Sequence, residues 1–399
     1  MVKRIAILGS TGSVGKNALR VVDGLNSSAG KDKTQYEIVV LSANSSVELL
    51  AEQTRRYRPR FIAITNADFF GQLQDLISGL DVEILAGPDS LIEIAQMEEV
   101  DTVFSAVVGV AGLDAAFAAC RKGKRIALAN KEPLVIAGEL LMREARDNGA
   151  TILPVDSEHS AIFQAMQAGS VEEVSKIILT SSGGPFRELS AAEIQNATLQ
   201  EALSHPVWDM GPKISVDSAT MVNKALEVIE ARWLFDMPAE KIEVLVHPES
   251  IVHSLVEFVD GSVMALLGEP DMCLPIQYAL TYPERVAGIV RRLRLEEIGK
   301  LTFERPNLEI FRALALGFEV ARIGGTGPAV FNAANEAAVE EFLAGRIKFA
   351  SIVELIERCL NKHNVRKIAS LEELLEADAW AREQVQKSIS AQVHKSTRT

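Results

Sequence analysis

Residues 4–19 read RIAILGSTGSVGKNAL, and how this stretch is read decides the fold. A short, mostly apolar run ends at Leu8, glycines follow at 9, 12 and 15, and VGKNALRVVDGL then has helical periodicity. Glycines between a strand and a helix permit a tight turn. They also let backbone N–H groups approach a pyrophosphate at the helix N-terminus. GxxGxxG is a variant of the dinucleotide fingerprint, and alone it fits equally a turn used only for close strand–helix packing. The chain beyond supplies the context. EIVVL, FIAI, VEIL, TVFSAVV, RIALA and TILPV recur as short apolar runs up to about residue 155, with helical segments such as VELLAEQTRRY between most of them. This alternation predicts an α/β fold that begins with a doubly wound, Rossmann-like parallel sheet.

The second strand refines the cofactor. An NAD site usually places Asp or Glu there to accept from the ribose hydroxyls. Here EIVVL is followed by SANSS, with no acid from Ser42 to Ser46. Hydroxyls and amides can donate to a 2′-phosphate that a carboxylate would repel, so NADPH is expected.

Composition narrows the partners. The 399 residues are 48 % apolar and 24 % charged, ordinary globular usage, and the net charge is −13. Phosphate-backbone binding needs clustered cations, so no nucleic-acid partner is expected, whereas a local cationic pocket for a small anion is compatible with an acidic chain. The three cysteines, 120, 273 and 359, form no CxxC and read as buried thiols of a reducing compartment. MVKRIAIL leads straight into the first strand, and no apolar run approaches the ~20 residues of a membrane span. A cytoplasmic protein without signal peptide or membrane partner is the expectation.

After residue 155 the pattern changes. SAIFQAMQAG reads as a helix, VSKIILTSSGGPF as a strand entering a glycine loop, and SATMVNKALEVIEARWLF as one strong helix with Ser218 near its cap. KIEVLVHP, IVHSLVEFV and SVMALLG read as strands, the last two joined at Asp260-Gly261, a hairpin signal. The chain therefore divides into a nucleotide-binding domain (1–155), a central α+β domain with antiparallel strands (156–285), a linker (286–315) and a helical C-terminal domain (316–399) whose tail HKSTRT is expected to be disordered. HPVWDMGPK, too rich in Pro and Gly for a central strand, reads as a lid over 204–213, held by few hydrogen bonds.

Chemistry concentrates at two places. Asp156 and Glu158 close the run TILPV, and residues i and i+2 of a strand share a face. If the strand persists, the carboxylates converge, and all-oxygen ligation suits Mg²⁺ or Mn²⁺. The alternative is a pair of exposed loop acids. Asn223, Lys224 and Glu227 share one helical face, which by itself reads as a solvated polar stripe. With Ser218 and Ser182 of the SSGGPF loop, Asn223 and Lys224 would make a phosphate pocket beside Glu227.

Together, GSTGSVG, ANKEPLV, PVDSEH, SSGGPFR, HPVWDMGPKISVDSATMVNKALE, HPESIVHSLVEF and GEPDM occur in an order that resembles the 1-deoxy-D-xylulose 5-phosphate reductoisomerase family over nearly the whole chain. The resemblance implies a divalent metal (Mg²⁺, Mn²⁺ or Co²⁺) on Asp156, Glu158 and Glu227. It implies catalytic roles for Lys131, Glu158 and His205, and substrate contacts from Lys131, Ser157, Glu158, His205 and Glu227. Ser182, Ser218, Asn223 and Lys224 would surround the substrate phosphate. Thr11, Gly12, Ser13, Val14, Asn130, Glu132 and Gly211 would line the NADPH site, with Asn44, Ser45 and Ser46 at its 2′-phosphate. The implied reaction rearranges a phosphorylated 2-keto sugar and reduces the product with NADPH to 2-C-methyl-D-erythritol 4-phosphate, for isoprenoid precursors; a homodimer is the family expectation. Ala43-Asn44-Ser45-Ser46 stands where many members have Ala-Gly-Ser-Asn or Ala-Gly-Lys-Asn, and Pro133 where Ser is common. Two other readings compete. A semialdehyde dehydrogenase-like enzyme needs an activated Cys, for which Cys120 is the candidate. A non-catalytic NADP sensor leaves the acids and the phosphate pocket unexplained.

Overall fold

Seven strands, β1 (Val2–Leu8), β2 (Gln35–Ala43), β3 (Phe61–Ile64), β4 (Glu83–Ala86), β5 (Thr102–Ser105), β6 (Arg125–Leu128) and β7 (Thr151–Pro154), pair in the order β4-β3-β2-β1-β5-β6-β7. Every pairing is parallel. Crossover helices cover a parallel sheet on both faces, which is why its strands read as unbroken apolar runs rather than alternating ones. β3 shows this most simply, with all four residues buried. In this computed structural model the described residues are 1–28, 34–208, 210–368 and 370–396, with the side chains of 28 and 392–396 outside the description. The strand read over TVFSAVV ends at Ser105, and Val108 is 77 % exposed.

The chain divides into two compact units. The first comprises Met1–Pro133, Leu141–Ser160 and Asp271–Arg292. Its sheet order reverses between β1 and β5, the switch point beside which open α/β sheets bind ligands. Here two glycines are fixed by the fold. Gly9 has φ 79°, and a Cβ on it would stand 2.6 Å from the Ala106 carbonyl oxygen. A Cβ on Gly15 would stand 2.2 Å from the Gly9 carbonyl oxygen, so the helix Ser13–Ser28 can start only if residue 15 has no side chain. Gly12 differs. A Cβ there would meet only an ordinary contact at 3.5 Å, and the residue is exposed, so nothing within the turn requires a glycine at 12. The unit also contains the helix Cys273–Thr281, whose Pro275 is tolerated because it lies in the first helical turn.

The second unit comprises Leu134–Leu140, Ala161–Pro270 and Leu293–Thr399. Its sheet, in the order β11-β10-β8-β9, is formed by β8 (Val174–Ser181), β9 (Ile242–Val246), β10 (Val252–Phe258) and β11 (Val263–Leu267). β8 pairs parallel with β9 and antiparallel with β10, and β10–β11 is the expected hairpin. The C-terminal helices belong to this unit. Gly317 of the helix Arg312–Ile323 lets it approach the helix Val222–Leu234 so closely that a Cβ would lie 2.4 Å from that of Ala225. The segment 286–315 is divided, with residues to Arg292 in the first unit and the rest in the second.

Two local readings are corrected. SATMVNKALEVIEARWLF is not one helix. It breaks at Met221 (φ 62°), between Pro212–Ala219 and Val222–Leu234, and Ser218 ends the first helix rather than capping the second. The buried Thr220 hydroxyl bonds the Val216 and Asp217 carbonyls and accepts from Val222 N–H, satisfying backbone groups the break would strand. The tail is also more regular than expected. The final helix, Leu371–Ser396, takes in the first three residues of HKSTRT, while 397–399 lie outside the described residues.

Gly15→Ala is expected to lower stability by about 1–3 kcal/mol, because its clash is with backbone that cannot move aside. Gly12→Ala should cost far less. Chemical unfolding of the two variants side by side checks this, and equal losses would contradict the distinction.

Candidate active site

Because the strands are parallel, their carboxyl ends lie along one edge of the first unit's sheet, and the sequence-predicted nucleotide residues fall there. At the end of β1, Gly12 and Ser13 are exposed and Thr11 and Val14 partly so, in front of the helix Ser13–Ser28. This loop is held from beneath by a group the sequence reading missed. Ser42 is buried, and its Oγ accepts from Gly9 N–H (3.0 Å). Its carbonyl accepts from Ser10 N–H (2.9 Å). The Ser10 hydroxyl donates to Gln53 Oε1 (2.7 Å), and Gln53 Nε2 returns a bond to the Ser10 carbonyl (3.0 Å). Ser42 therefore supports the turn and is not a surface donor. Asn44, Ser45 and Ser46 are exposed, and the Thr65 hydroxyl donates to Asn44 Oδ1 (2.8 Å), leaving the Asn44 amide N–H groups to face outward.

At the end of β6, Asn130 is buried and accepts from the Ser105 hydroxyl (2.9 Å). Its Nδ2 is buried with no hydrogen-bond partner among the described residues, an arrangement native proteins rarely tolerate without a ligand or water. Glu132, also buried, begins the helix Glu132–Asp147 with Pro133 in its first turn, as the sequence allowed. An open glycine turn at a helix N-terminus, outward amides and an orphaned amide donor fit a dinucleotide phosphate cofactor.

Lys131 precedes that helix, and Asp156 follows the adjacent strand β7, so the parallel pairing brings them together. The Lys131 ammonium contacts Asp156 Oδ2. The strand does not persist to Glu158, however. β7 ends at Pro154, and Ser157 opens the helix Ser157–Ala165. Asp156 is the helix N-cap, accepting from Glu158 N–H (3.2 Å), and Glu158 lies in the first turn. The carboxylates are thus neighbours through capping rather than strand alternation. Burial works against the charge on Asp156, but the Lys131 ammonium and the buried His159 ring outweigh it and hold its carboxyl well below the usual range. Buried Ser157 donates to Glu158 Oε2. The oxygen-only chemistry of this acid set fits a hard divalent cation.

In the second unit, Glu227 is 1 % and Lys224 3 % exposed. The helix Val222–Leu234 is buried nearly all round, so the solvated-stripe reading fails. Lys224 donates to Glu227 Oε2, and Asn223 Nδ2 donates to Oε1 (2.6 Å). Gly183 and Gly184 both have positive φ, and a Cβ on Gly184 would stand 2.6 Å from the Ser218 carbonyl oxygen. The glycines thereby seat the Ser182 loop against Ser218. His205 is anchored too: its Nδ1 accepts from Val207 N–H (3.2 Å) and Trp208 N–H (2.9 Å), which leaves Nε2–H to donate to Ser182 Oγ (2.9 Å). The lid segment is therefore better held than its composition suggested. Its end is also regular, since Pro212 and Lys213 start a helix; Gly211 is exposed at the N-cap, and Asp209 lies outside the described residues.

Comparison with known proteins shows the family. The chain matches the DXP reductoisomerase domain families over residues 5–138, 152–235 and 267–384. It is 50 % identical over 383 residues, 96 % of its own length and 97 % of the relative's, to the 1-deoxy-D-xylulose 5-phosphate reductoisomerase of Chloroherpeton thalassium. It is also 50 % identical over 380 residues to that of Trichlorobacter lovleyi, covering 95 % of this chain and 96 % of that one. The chain belongs to the 1-deoxy-D-xylulose 5-phosphate reductoisomerase family. Solved structures of the family superpose closely. One is the Zymomonas mobilis enzyme in complex with NADPH, with TM-score 0.89, 41 % identity, and 98 % of this chain and 99 % of that one covered. Another is a family enzyme with NADPH, fosmidomycin and magnesium, with TM-score 0.91, 42 % identity, and 97 % and 98 % covered. The Cys-nucleophile alternative also fails on structure. Cys120 is fully buried, and burial, with Glu144 nearby, pushes its thiol up to about 12.

Burial depresses the His205 pKa below its ordinary value, and its Nδ1 must be unprotonated to accept two N–H groups. The unfolded ring takes up a proton below about pH 6.5. The folded one resists, so the anchor's contribution is complete above that pH and is lost as pH falls through the lower folded value. Proteolysis around 204–208 should accelerate as pH is lowered from 7.5 to 5.5. A flat profile would contradict this.

Proposed function

We propose that this chain converts 1-deoxy-D-xylulose 5-phosphate to 2-C-methyl-D-erythritol 4-phosphate with NADPH and a divalent cation, acting in the cytoplasm. Membership of the family carries the activity, and the observation that supports it on this chain is the set of groups along the carboxyl edge of the first sheet. That edge holds the open glycine turn after β1, orphaned Asn130 and Lys131 after β6, and Asp156 and Glu158 after β7. When bound, the cation supplies Lewis acidity at the keto and neighbouring hydroxyl oxygens, and NADPH supplies the hydride. Asp156, Glu158 and Glu227 would hold the cation. Thr11, Gly12, Ser13, Val14, Asn130, Glu132 and Gly211 would hold the dinucleotide, with Asn44, Ser45 and Ser46 donating to its 2′-phosphate.

The chain's own groups do the rest. Lys224, Asn223, Ser218 and Ser182 would bind the sugar phosphate as a cation and three neutral donors. Ser157 and Lys131 would orient the hydroxyl end, Lys131 offering an ammonium near the oxygens where charge develops. His205, neutral and carrying its proton on Nε2, would bond the substrate in place of Ser182. Trp208, partly buried on the same segment, would cover the substrate and exclude water. For the homodimer we place the contact at β11, an edge strand whose Val263 and Met264 are 46 % and 42 % exposed. Sedimentation should show a dimer that Met264→Lys weakens, and an unchanged dimer would move the contact elsewhere.

Excess chelator should abolish turnover, and Glu158→Gln should lower it by roughly 10²-fold or more with the fold retained, since Lewis-acid stabilisation is worth several kcal/mol. Full activity in chelator would refute the reading. NADPH should bind more tightly than NADH in a direct fluorescence titration, and Asn44→Asp should narrow the gap by repelling the 2′-phosphate. Equal affinities in the unaltered protein would remove the 2′-phosphate assignment.

A further inference from the structure

Asp217 is a buried carboxylate, 1 % exposed, that the proposed chemistry does not use. It lies on the helix Pro212–Ala219, one residue before Ser218. Both its oxygens are engaged. Asn335 Nδ2 donates to Oδ1 at 2.8 Å, and Lys213 Nζ lies 2.8 Å from Oδ2. Each partner is unfavourable where it stands unless Asp217 is the reason for it. Asn335 is fully buried in the middle of the helix Gly327–Leu343, and its Oδ1 has no hydrogen-bond partner among the described residues. A leucine would fill that space without burying an amide. Lys213 sits in the first turn of its helix, where the dipole disfavours a cation. On its far side Ser218 is pressed by Gly184, at which a Cβ would stand 2.6 Å from the Ser218 carbonyl oxygen.

We propose that Asn335 and Lys213 are positioning residues for substrate binding: through Asp217 they fix the helix Pro212–Ala219 on the C-terminal helices and so set where Ser218 stands in the phosphate pocket. Asn335 is then a site residue by position although it is more than a hundred residues away in sequence. The inference rests on reading Ser218 as a phosphate contact, so the test includes Ser218→Ala.

The experiment is steady-state kinetics of the full chain with Mg²⁺, NADPH and 1-deoxy-D-xylulose 5-phosphate, beside thermal unfolding. Asn335→Leu and Lys213→Met should each raise the KM for the sugar phosphate roughly tenfold, since misplacing a binding group by about 1 Å is costly. The KM for NADPH should stay near its original value. The double variant should be little worse than the worse single one, because both act through one carboxylate. Lys213→Arg, which keeps the cation, should restore the KM. Lys213→Met leaves the nearly buried Asp217 carboxylate without its cation, so thermal unfolding is measured beside the kinetics, and Lys213→Arg separates misplacement from lost stability. A normal sugar-phosphate KM in Lys213→Met, or in a folded Asn335→Leu, while Ser218→Ala raises it, would overturn the positioning role and leave the phosphate pocket standing. A normal KM in Ser218→Ala would overturn both.

Discussion

The parallel direction of seven strands is the constraint on which the rest of the first unit depends. Parallel pairing puts every strand's carboxyl end on one edge, so residues far apart in sequence become neighbours only if their strands are neighbours. Lys131 meets Asp156 because β6 pairs with β7, with Leu128 opposite Pro154. Ser105 meets Asn130 because β5 pairs with β6. The glycine turn faces the same edge because β1 sits at the centre of the order. Each contact is a consequence of topology, and each brings a polar group to an edge where the backbone has run out of ladder partners.

Much of this edge was legible because parallel strands are buried on both faces. The seven apolar runs mark the seven strands, and the glycines mark the turn. The site's motifs were legible as residue types, but their local geometry was not. Asp156 and Glu158 looked like strand neighbours because period two was the only regularity that short segment offered. The helix that follows starts three residues earlier than the run SAIFQAMQAG suggests, since its first turn, Ser157-Glu158-His159, is polar. The break at Met221 was hidden for a related reason: VDSATMVNKALE carries neither Gly nor Pro at the turn. The signal was Thr220, a hydroxyl able to hold the carbonyls a break exposes. Ser10, Ser42 and Gln53 had no signal at all, for a buried hydroxyl and a surface one are the same letter. The C-terminal helices looked separable because periodicity marks a helix's apolar face without naming what covers it.

Buried charge organises the second unit. The helix Val222–Leu234 carries Lys224, Glu227 and Glu230 into a nearly water-free setting, where a lone charge would cost several kcal/mol. Lys224 and Glu227 answer one another, and Asn223 occupies the remaining carboxylate oxygen. Such a pair is weak evidence for stability, since apolar residues of equal size would often serve the fold as well. Its presence in the core therefore argues for a use in binding, and the same argument applies to Asp217 and Asn335.

Met221 carries a different implication. A left-handed conformation in a non-glycine residue costs about 1–2 kcal/mol, and glycine would remove that cost. Yet Met221 is 2 % exposed, and fully burying such a side chain contributes roughly 1.5–3 kcal/mol. Truncation would also open a cavity, for a total cost of about 2–5 kcal/mol, so burial outweighs the backbone strain and the methionine is the more stable choice. Glycine would also loosen the joint between the helix that ends near Ser218 and the helix that starts before Asn223. The strained residue is thus held in place by what its side chain packs against, and the joint is locked from the core rather than freed by a glycine.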